Sequence, residues 1–423
     1  MSYRHQLPSG VRIVGEEIPF LRSVAIGIWI GTGSRFENKQ NNGVSHFLEH
    51  MFFKGTERYS AKALAELFDN LGGQVNAFTS KEYTCFYARV LDDHFEIAAD
   101  TLSDMLLHSQ FQVDEMDKER KVVIEEIHMY EDTPDELVMD LLAEGIYGEH
   151  SLGFTILGLE ENLRSFSRQD LLSYIESRYQ GNDIVISVAG NISEARVIET
   201  FGRLFGHYQP SGTGSRQLVE PPFRTPVVVR QKDIEQMHVA LAAPGLPAGH
   251  PDMYALILMN NALGSNPSSR LFQEIREERG MAYSVFSYHS SYLDCGMFGI
   301  YTGTSPENLS DVLQLIQECV ARFAEQGLSE EELSKGKAQL KGSMMLGLES
   351  TSSRMSRLGK NELLLRRSIS IEETLAAIDA VRTEDVLRVS RQLLQHPFAI
   401  STVGPMSEVD VQAAIQNSGW VNA

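Results

Sequence analysis

Hydrophobic and polar positions along this chain follow two periods. A period of two marks strand-like runs at Val11 to Val14, Val24-Ala-Ile-Gly-Ile-Trp-Ile30, Thr84-Cys-Phe-Tyr-Ala-Arg-Val90 and Met297-Phe-Gly-Ile-Tyr301, because successive strand side chains face opposite ways. Apolar positions spaced by three and four predict amphipathic helices over Phe95 to His108 and Leu309 to Gln326. A further helix is predicted through Glu119 to Tyr130. The order repeats. The strand runs near 84 and 297 are each followed by one of these amphipathic helices. Next comes a matching segment: Asp114-Glu-Met-Asp-Lys-Glu-Arg-Lys-Val-Val123 resembles Glu331-Glu-Leu-Ser-Lys-Gly-Lys-Ala-Gln-Leu340, at an offset of 217. The chain therefore reads as one α+β unit of about 200 residues, duplicated and fused. Runs of strands followed by runs of helices predict sheets with helices on one face. Tyr208-Gln-Pro-Ser-Gly-Thr-Gly-Ser215, with Pro221, Pro222 and Pro226, reads as the joint. The expected domains are 1–210 and 227–423, joined by a linker over 211–226.

Composition narrows the class. At 423 residues, 42% hydrophobic and 22% charged, the chain suits a multi-domain globular protein. Its net charge of −20 repels nucleic acid and anionic membranes and favours basic or unstructured cationic partners, although solubility is the simpler meaning. Cys85, Cys295 and Cys319 are odd in number and scattered. They argue against a disulfide framework and a thiolate zinc site, and they suit a reducing compartment. The N-terminal residues resemble neither a signal nor a transit segment, and no apolar run approaches membrane-spanning length. A cytoplasmic enzyme or a processed mature chain is expected.

The chemistry concentrates at His46-Phe-Leu-Glu49-His50. On a helix, positions i, i+3 and i+4 share one face, so two imidazoles can grip one Zn²⁺ with a carboxylate beside it. A catalytic zinc needs a third protein ligand. The helix from Glu119 to Tyr130 offers Glu125, Glu126 and His128. At about 100° per residue, Met116, Val123, Ile127 and Tyr130 form its apolar stripe. Glu119 and Glu126 flank that stripe, and Glu125 and His128 fall on the polar side. A carboxylate held against a buried face needs a partner, so Glu126 is the expected ligand. Glu119 is expected to orient a ligand from behind, or else to be an acid favoured near a helix N-terminus. At the offset of 217, Leu263 and Pro267 stand opposite His46 and His50, and Ser343 opposite Glu126. Only the first half is expected to hold metal.

His-Phe-Leu-Glu-His-Met-Phe-Phe-Lys-Gly-Thr56, followed by the Glu119–Asp132 segment, resembles the pitrilysin family of zinc peptidases, the inverzincins. It is closest to the short-chain branch that includes the mitochondrial processing peptidase and bacterial relatives. The resemblance implies two homologous domains, each a mostly antiparallel sheet with helices on one side. It also implies His46, His50 and Glu126 as ligands of one Zn²⁺ per chain, with Glu49 as general base; Co²⁺ or Mn²⁺ are the substitutes such a site could accept. Leu71 to Ser80 resembles the family's substrate-binding edge strand, with Asn76, Ala77 and Phe78 at its centre. An exposed edge offers backbone groups to which an extended peptide adds. Phe53 matches a residue lining the pocket beside the scissile bond, and equally suits a core position. Arg276 and Tyr283 match an Arg–Tyr pair that contacts substrate and stabilises charge in the transition state. Because one chain carries both parts, a homodimer sharing its active sites between subunits is the expected assembly. The substrate would be a peptide or unfolded polypeptide, with no nucleic acid and no membrane. The rival reading is a non-catalytic core subunit of a larger complex.

Overall fold

The computed structural model describes residues 2–209 and 218–420. Strands β1 (Ser2–Gln6), β2 (Arg12–Glu17), β3 (Ser23–Ile30), β4 (Gln74–Thr79), β5 (Thr84–Leu91) and β6 (Ile184–Gly190) form one sheet, ordered β1-β2-β6-β3-β5-β4. Strands β7 (Val227–Gln231), β8 (Met237–Pro244), β9 (Ala282–Ser291), β10 (Gly296–Thr304) and β11 (Ala399–Gly404) form the other, ordered β7-β11-β8-β10-β9. Each sheet has a single parallel pair, β2 with β6 and β7 with β11, and is otherwise antiparallel. The two-domain α+β class expected from the sequence is the fold observed.

The first eight helices are α1 (Val44–Met51), α2 (Ala61–Asn70), α3 (Phe95–His108), α4 (Val113–Glu131), α5 (Pro134–Tyr147), α6 (Glu160–Ser165), α7 (Arg168–Arg178) and α8 (Glu194–Phe205). The second half adds α9 (Met253–Leu263), α10 (Leu309–Gln326), α11 (Glu330–Gly347), α12 (Thr351–Lys360), α13 (Ile371–Ala380), α14 (Thr383–Leu394) and α15 (Glu408–Asn417). Alternation in β3 shows how one strand serves two layers. Val24, Ile26, Ile28 and Ile30 point into a core built with α1, α3, α4, α7 and α8. Ala25 and Trp29 point into a second, smaller core on the opposite face.

What fills that opposite face comes from far along the chain. The chain divides into two compact units, and neither is continuous in sequence. The first comprises residues 1–128, 154–217 and 345–369, and the second comprises 129–153, 218–344 and 370–423. Met355 and Leu358 of α12, with Leu363 just after it, cover Val14, Ala25, Trp29 and Cys85 of the first sheet. In the second unit, Val138, Leu141, Leu142 and Ile146 of α5 cover Ala240, Ala242, Met297 and Val403. Each half therefore lends the helix after its long helix to the other half's sheet. Burying each such large apolar side chain is worth about 1.5–3 kcal/mol, so the exchange is strongly held. The expected linker lies partly outside the described residues, at 211–217. Its remainder, 218–226, has no regular secondary structure before β7.

The repeat offset of 217 holds where the long helices begin, at Val113 and Glu330. It fails at the earlier helices. Thirteen residues separate β3 from α1, whereas eight separate β8 from α9. Pro267 therefore lies beyond the end of α9 and does not occupy the place of His50. The unequal loops move the register.

Candidate metal centre

The site is built on α1, a helix of eight residues. The α1 N-cap, Gly43, supplies no side chain to the N-terminal N–H groups, and a distant carboxylate fills that role. Buried Glu37 accepts hydrogen bonds from the backbone N–H of Gly43 and of Ser45, each at 2.8 Å, and from Asn42 Nδ2 at 3.0 Å. A helix N-terminus favours negative charge. Burial still pushes the Glu37 carboxyl up, against the hydrogen bonds that favour its charged form. Ser45 Oγ lies 2.9 Å from the Tyr174 hydroxyl, tying α1 to α7. These contacts settle where His46 begins its turn.

From α1 the rings of His46 and His50 project side by side, with centroids 4.7 Å apart. Glu126 reaches them from α4: its Oε2 lies 3.7 Å from His46 Nε2 and 3.5 Å from His50 Nε2. All three ligand atoms fall within 4.8 Å of one another. Those separations exceed a good hydrogen bond. They lie near the roughly 3.3 Å edge of a tetrahedron with Zn–N and Zn–O bonds of about 2.0–2.1 Å. Burial and the neighbouring His50 lower His46 to about 4, leaving a neutral ring able to donate a lone pair. Among the described residues its Nδ1 finds no hydrogen-bond partner. Burial also lowers His50, but the hydrogen bond to Glu119 and the negative charges of Glu119 and Glu126 outweigh it and raise His50 to about 9. A divalent cation would replace that proton. The donor set and its spacing thus fit zinc.

Glu119 stands behind the site. Its Oε1 lies 2.8 Å from His50 Nδ1, and its Oε2 takes Lys54 Nζ at 2.5 Å. Burial raises Glu119, but His50 and Lys54 together bring it below the ordinary carboxylate range. A carboxylate on the far nitrogen of a metal-binding imidazole sets its tautomer and orientation. Glu125, by contrast, is 81% exposed and lies 4.0 Å from half-exposed His128. Glu49 turns its Oε2 to the Thr79 hydroxyl at 2.5 Å. Burial raises Glu49 and that hydrogen bond opposes the rise.

The remaining sequence-derived positions fall into three places. β4 is an edge strand, pairing with β5 alone. The Ala77 N–H on it is accepted by the Asn76 side chain at 2.8 Å. Phe78 points to the opposite face, its ring 5.8 Å from that of Trp29, so its side chain faces away from the metal ligands. Phe53 packs half-buried against the main core, 6.5 Å from Phe86. Arg276 and Tyr283 belong to the second unit, where the guanidinium lies 5.1 Å over the Tyr283 ring and 4.6 Å over that of Phe272. Tyr283 is 80% exposed. Sequence reasoning missed Glu37, Lys54 and Thr79. The signal was present for two of them: Lys54 follows His50 by four residues, and Thr79 shares the period-two face of Ala77.

Duplicated α+β domains, one bearing a helical His-x-x-Glu-His and a glutamate from a second helix, define a class of zinc peptidase. Residues 12–160 match the family description "Insulinase (Peptidase family M16)", and residues 165–340 match "Peptidase M16 inactive domain". The chain belongs to peptidase family M16, a family of zinc proteases. It is 51% identical to the uncharacterized zinc protease YmxG of Bacillus subtilis, over 96% of this chain and 98% of that one. It is 34% identical to a probable mitochondrial-processing peptidase subunit beta of Arabidopsis thaliana, over 95% of this chain and 78% of the other. In fold it resembles a peptidase M16 inactive domain from Pseudomonas fluorescens, with a TM-score of 0.89, 20% identity and coverage of 96% and 98%. Among the described residues, no helix is long and apolar enough to cross a membrane.

Proposed function

We propose that the protein is a zinc-dependent endopeptidase acting on peptides or unfolded polypeptide segments. The observation that carries this reading is the convergence of His46, His50 and Glu126 within 4.8 Å, with Glu49 on the same helix as both histidines. Zinc, when bound, supplies Lewis acidity and lowers the pKa of water there to about 7. His46 and His50 would hold it through Nε2 and Glu126 through a carboxylate oxygen, with Glu119 keeping His50 in the tautomer that allows this. Glu49 takes a proton from the attacking water and returns it to the leaving amine nitrogen. The substrate backbone aligns along β4 and takes over the Ala77 N–H from Asn76. Recognition through backbone groups gives loose sequence rules and requires an extended segment. Arg276 and Tyr283 present a cation and a phenol suited to developing negative charge, contributed across a homodimer.

The test joins zinc analysis of the purified protein to digestion of several unstructured peptides, with and without chelator. Cleavage should require about one zinc per chain. Glu49→Gln should keep its zinc and lose activity by about 10²–10⁴-fold. A zinc-loaded chain that cuts none of the peptides would favour a core-subunit role instead.

A further inference from the structure

We propose that Thr79 is a positioning residue for Glu49, linking the strand that receives the peptide to the base that acts on it. The inference rests on the endopeptidase reading above. Its observations are separate from the metal ligands.

Thr79 closes β4, two residues beyond Ala77. Strand alternation puts Ala77 and Thr79 on one face and Phe78 on the other. Ala77 accordingly packs into the core beneath α1, and Phe78 joins Trp29 on the far side. The Thr79 hydroxyl donates to Glu49 Oε2 at 2.5 Å, within the range of a charge-assisted bond to a carboxylate. Among the described residues it is the hydrogen-bond partner of that carboxylate. The last torsion of a glutamate is broad and roughly two-fold, so a carboxylate held by its stem alone can rotate. Thr79 is β-branched and stiff at χ1. Anchoring Oε2 fixes the carboxylate plane and leaves Oε1 to accept the proton. The anchor sits on the edge strand itself, so a peptide that orders β4 by pairing with it also orders the base.

A general base must stay within hydrogen-bond reach of its proton, and a misplacement of about 1 Å can cost about 10²-fold. Full-length, zinc-loaded wild type, Thr79→Val, Thr79→Ser and Glu49→Gln should be compared on one fluorogenic unstructured peptide. Zinc content and Tm should be measured for each. Valine keeps the shape and branching but removes the donor, and serine restores it. Thr79→Val should lose about 10–100-fold in kcat with KM within about twofold, and Thr79→Ser should recover most of the loss. Binding of a labelled peptide to Glu49→Gln should not change when Thr79→Val is added. Unchanged kcat in Thr79→Val overturns the proposal. So does a loss that falls on KM and peptide affinity, or a serine variant as impaired as valine, because either assigns Thr79 to the strand rather than to the base. A Glu49→Gln variant with undiminished turnover removes Glu49 as the base, and the proposal falls with it, whereas a zinc-loaded wild type that cuts no peptide removes the endopeptidase reading itself.

Discussion

The two units share one strand plan and use its equivalent helices in opposite ways. In the first, α1 follows the central strand β3 and carries two imidazoles, a carboxylate and a buried cap from Glu37. In the second, α9 follows β8 and buries Ala255, Leu256, Leu258, Met259 and Leu263, with Asn260 its buried polar residue. An apolar helix needs only shape. A helix that buries polar groups needs partners for them, and Glu37, Tyr174, Glu119 and Thr79 supply most of those of α1. At this place in the fold one copy of the shared plan gathers a polar cluster and the other packs apolar side chains. Long helices α4 and α11 differ in the same way, with Glu126 beside His46 and His50 and Ser343 exposed.

The largest expected effect breaks the asymmetry outright. Glu126→Ala removes one of the three proposed ligands and should abolish stoichiometric zinc and cleavage, read by metal analysis and peptide turnover. Ser343→Ala in the second unit should alter neither. Next in size, mixing Glu49→Gln chains with Arg276→Ala chains should restore measurable turnover if the units of different subunits complete each other's sites. No rescue in confirmed mixed dimers would count against sharing. Glu119→Gln is expected to weaken zinc by about 10–100-fold, measured by chelator competition.

Two smaller effects sharpen the comparison of the exchanged helices. Glu362, just beyond α12, is buried and bonds Arg12 at 2.6 Å and Arg4 at 2.9 Å. Burial raises its carboxyl, but the two arginines bring it below the ordinary value of 4.5. A carboxyl lowered on folding stabilises the folded state above its unfolded value, and that stability is lost as pH falls through the folded value. Glu362→Gln should therefore cost about 3–5 kcal/mol near neutral pH. Its Tm deficit against wild type should shrink once pH drops below 4.5. Smallest is a contrast of glycines. A Cβ at Gly359 of α12 would strike the indole of Trp29, whereas one at Gly145 of α5 would meet the side chains of Val228 and Pro226. Gly359→Ala should destabilise by about 1–3 kcal/mol and Gly145→Ala by less, because a valine rotamer yields more readily than a buried indole. Equal melting losses would show that the two seats are equally rigid.

Periodicity along the chain was enough to place His46, Glu49 and His50 on one face, and to separate Glu126 from Glu125. Both follow from the helical repeat, which is a local property of the backbone. Strand alternation likewise marked Val24 to Ile30 as a strand, the β3 observed. The same reasoning went astray at Pro267, because loop lengths between elements are not periodic. Nothing local announced that α5 and α12 would cross to the other half's sheet, that Lys54 would grip Glu119, or that Thr79 would meet Glu49. Such pairings depend on which surfaces are buried together once every element competes for cover. That competition is settled only when the whole chain has folded.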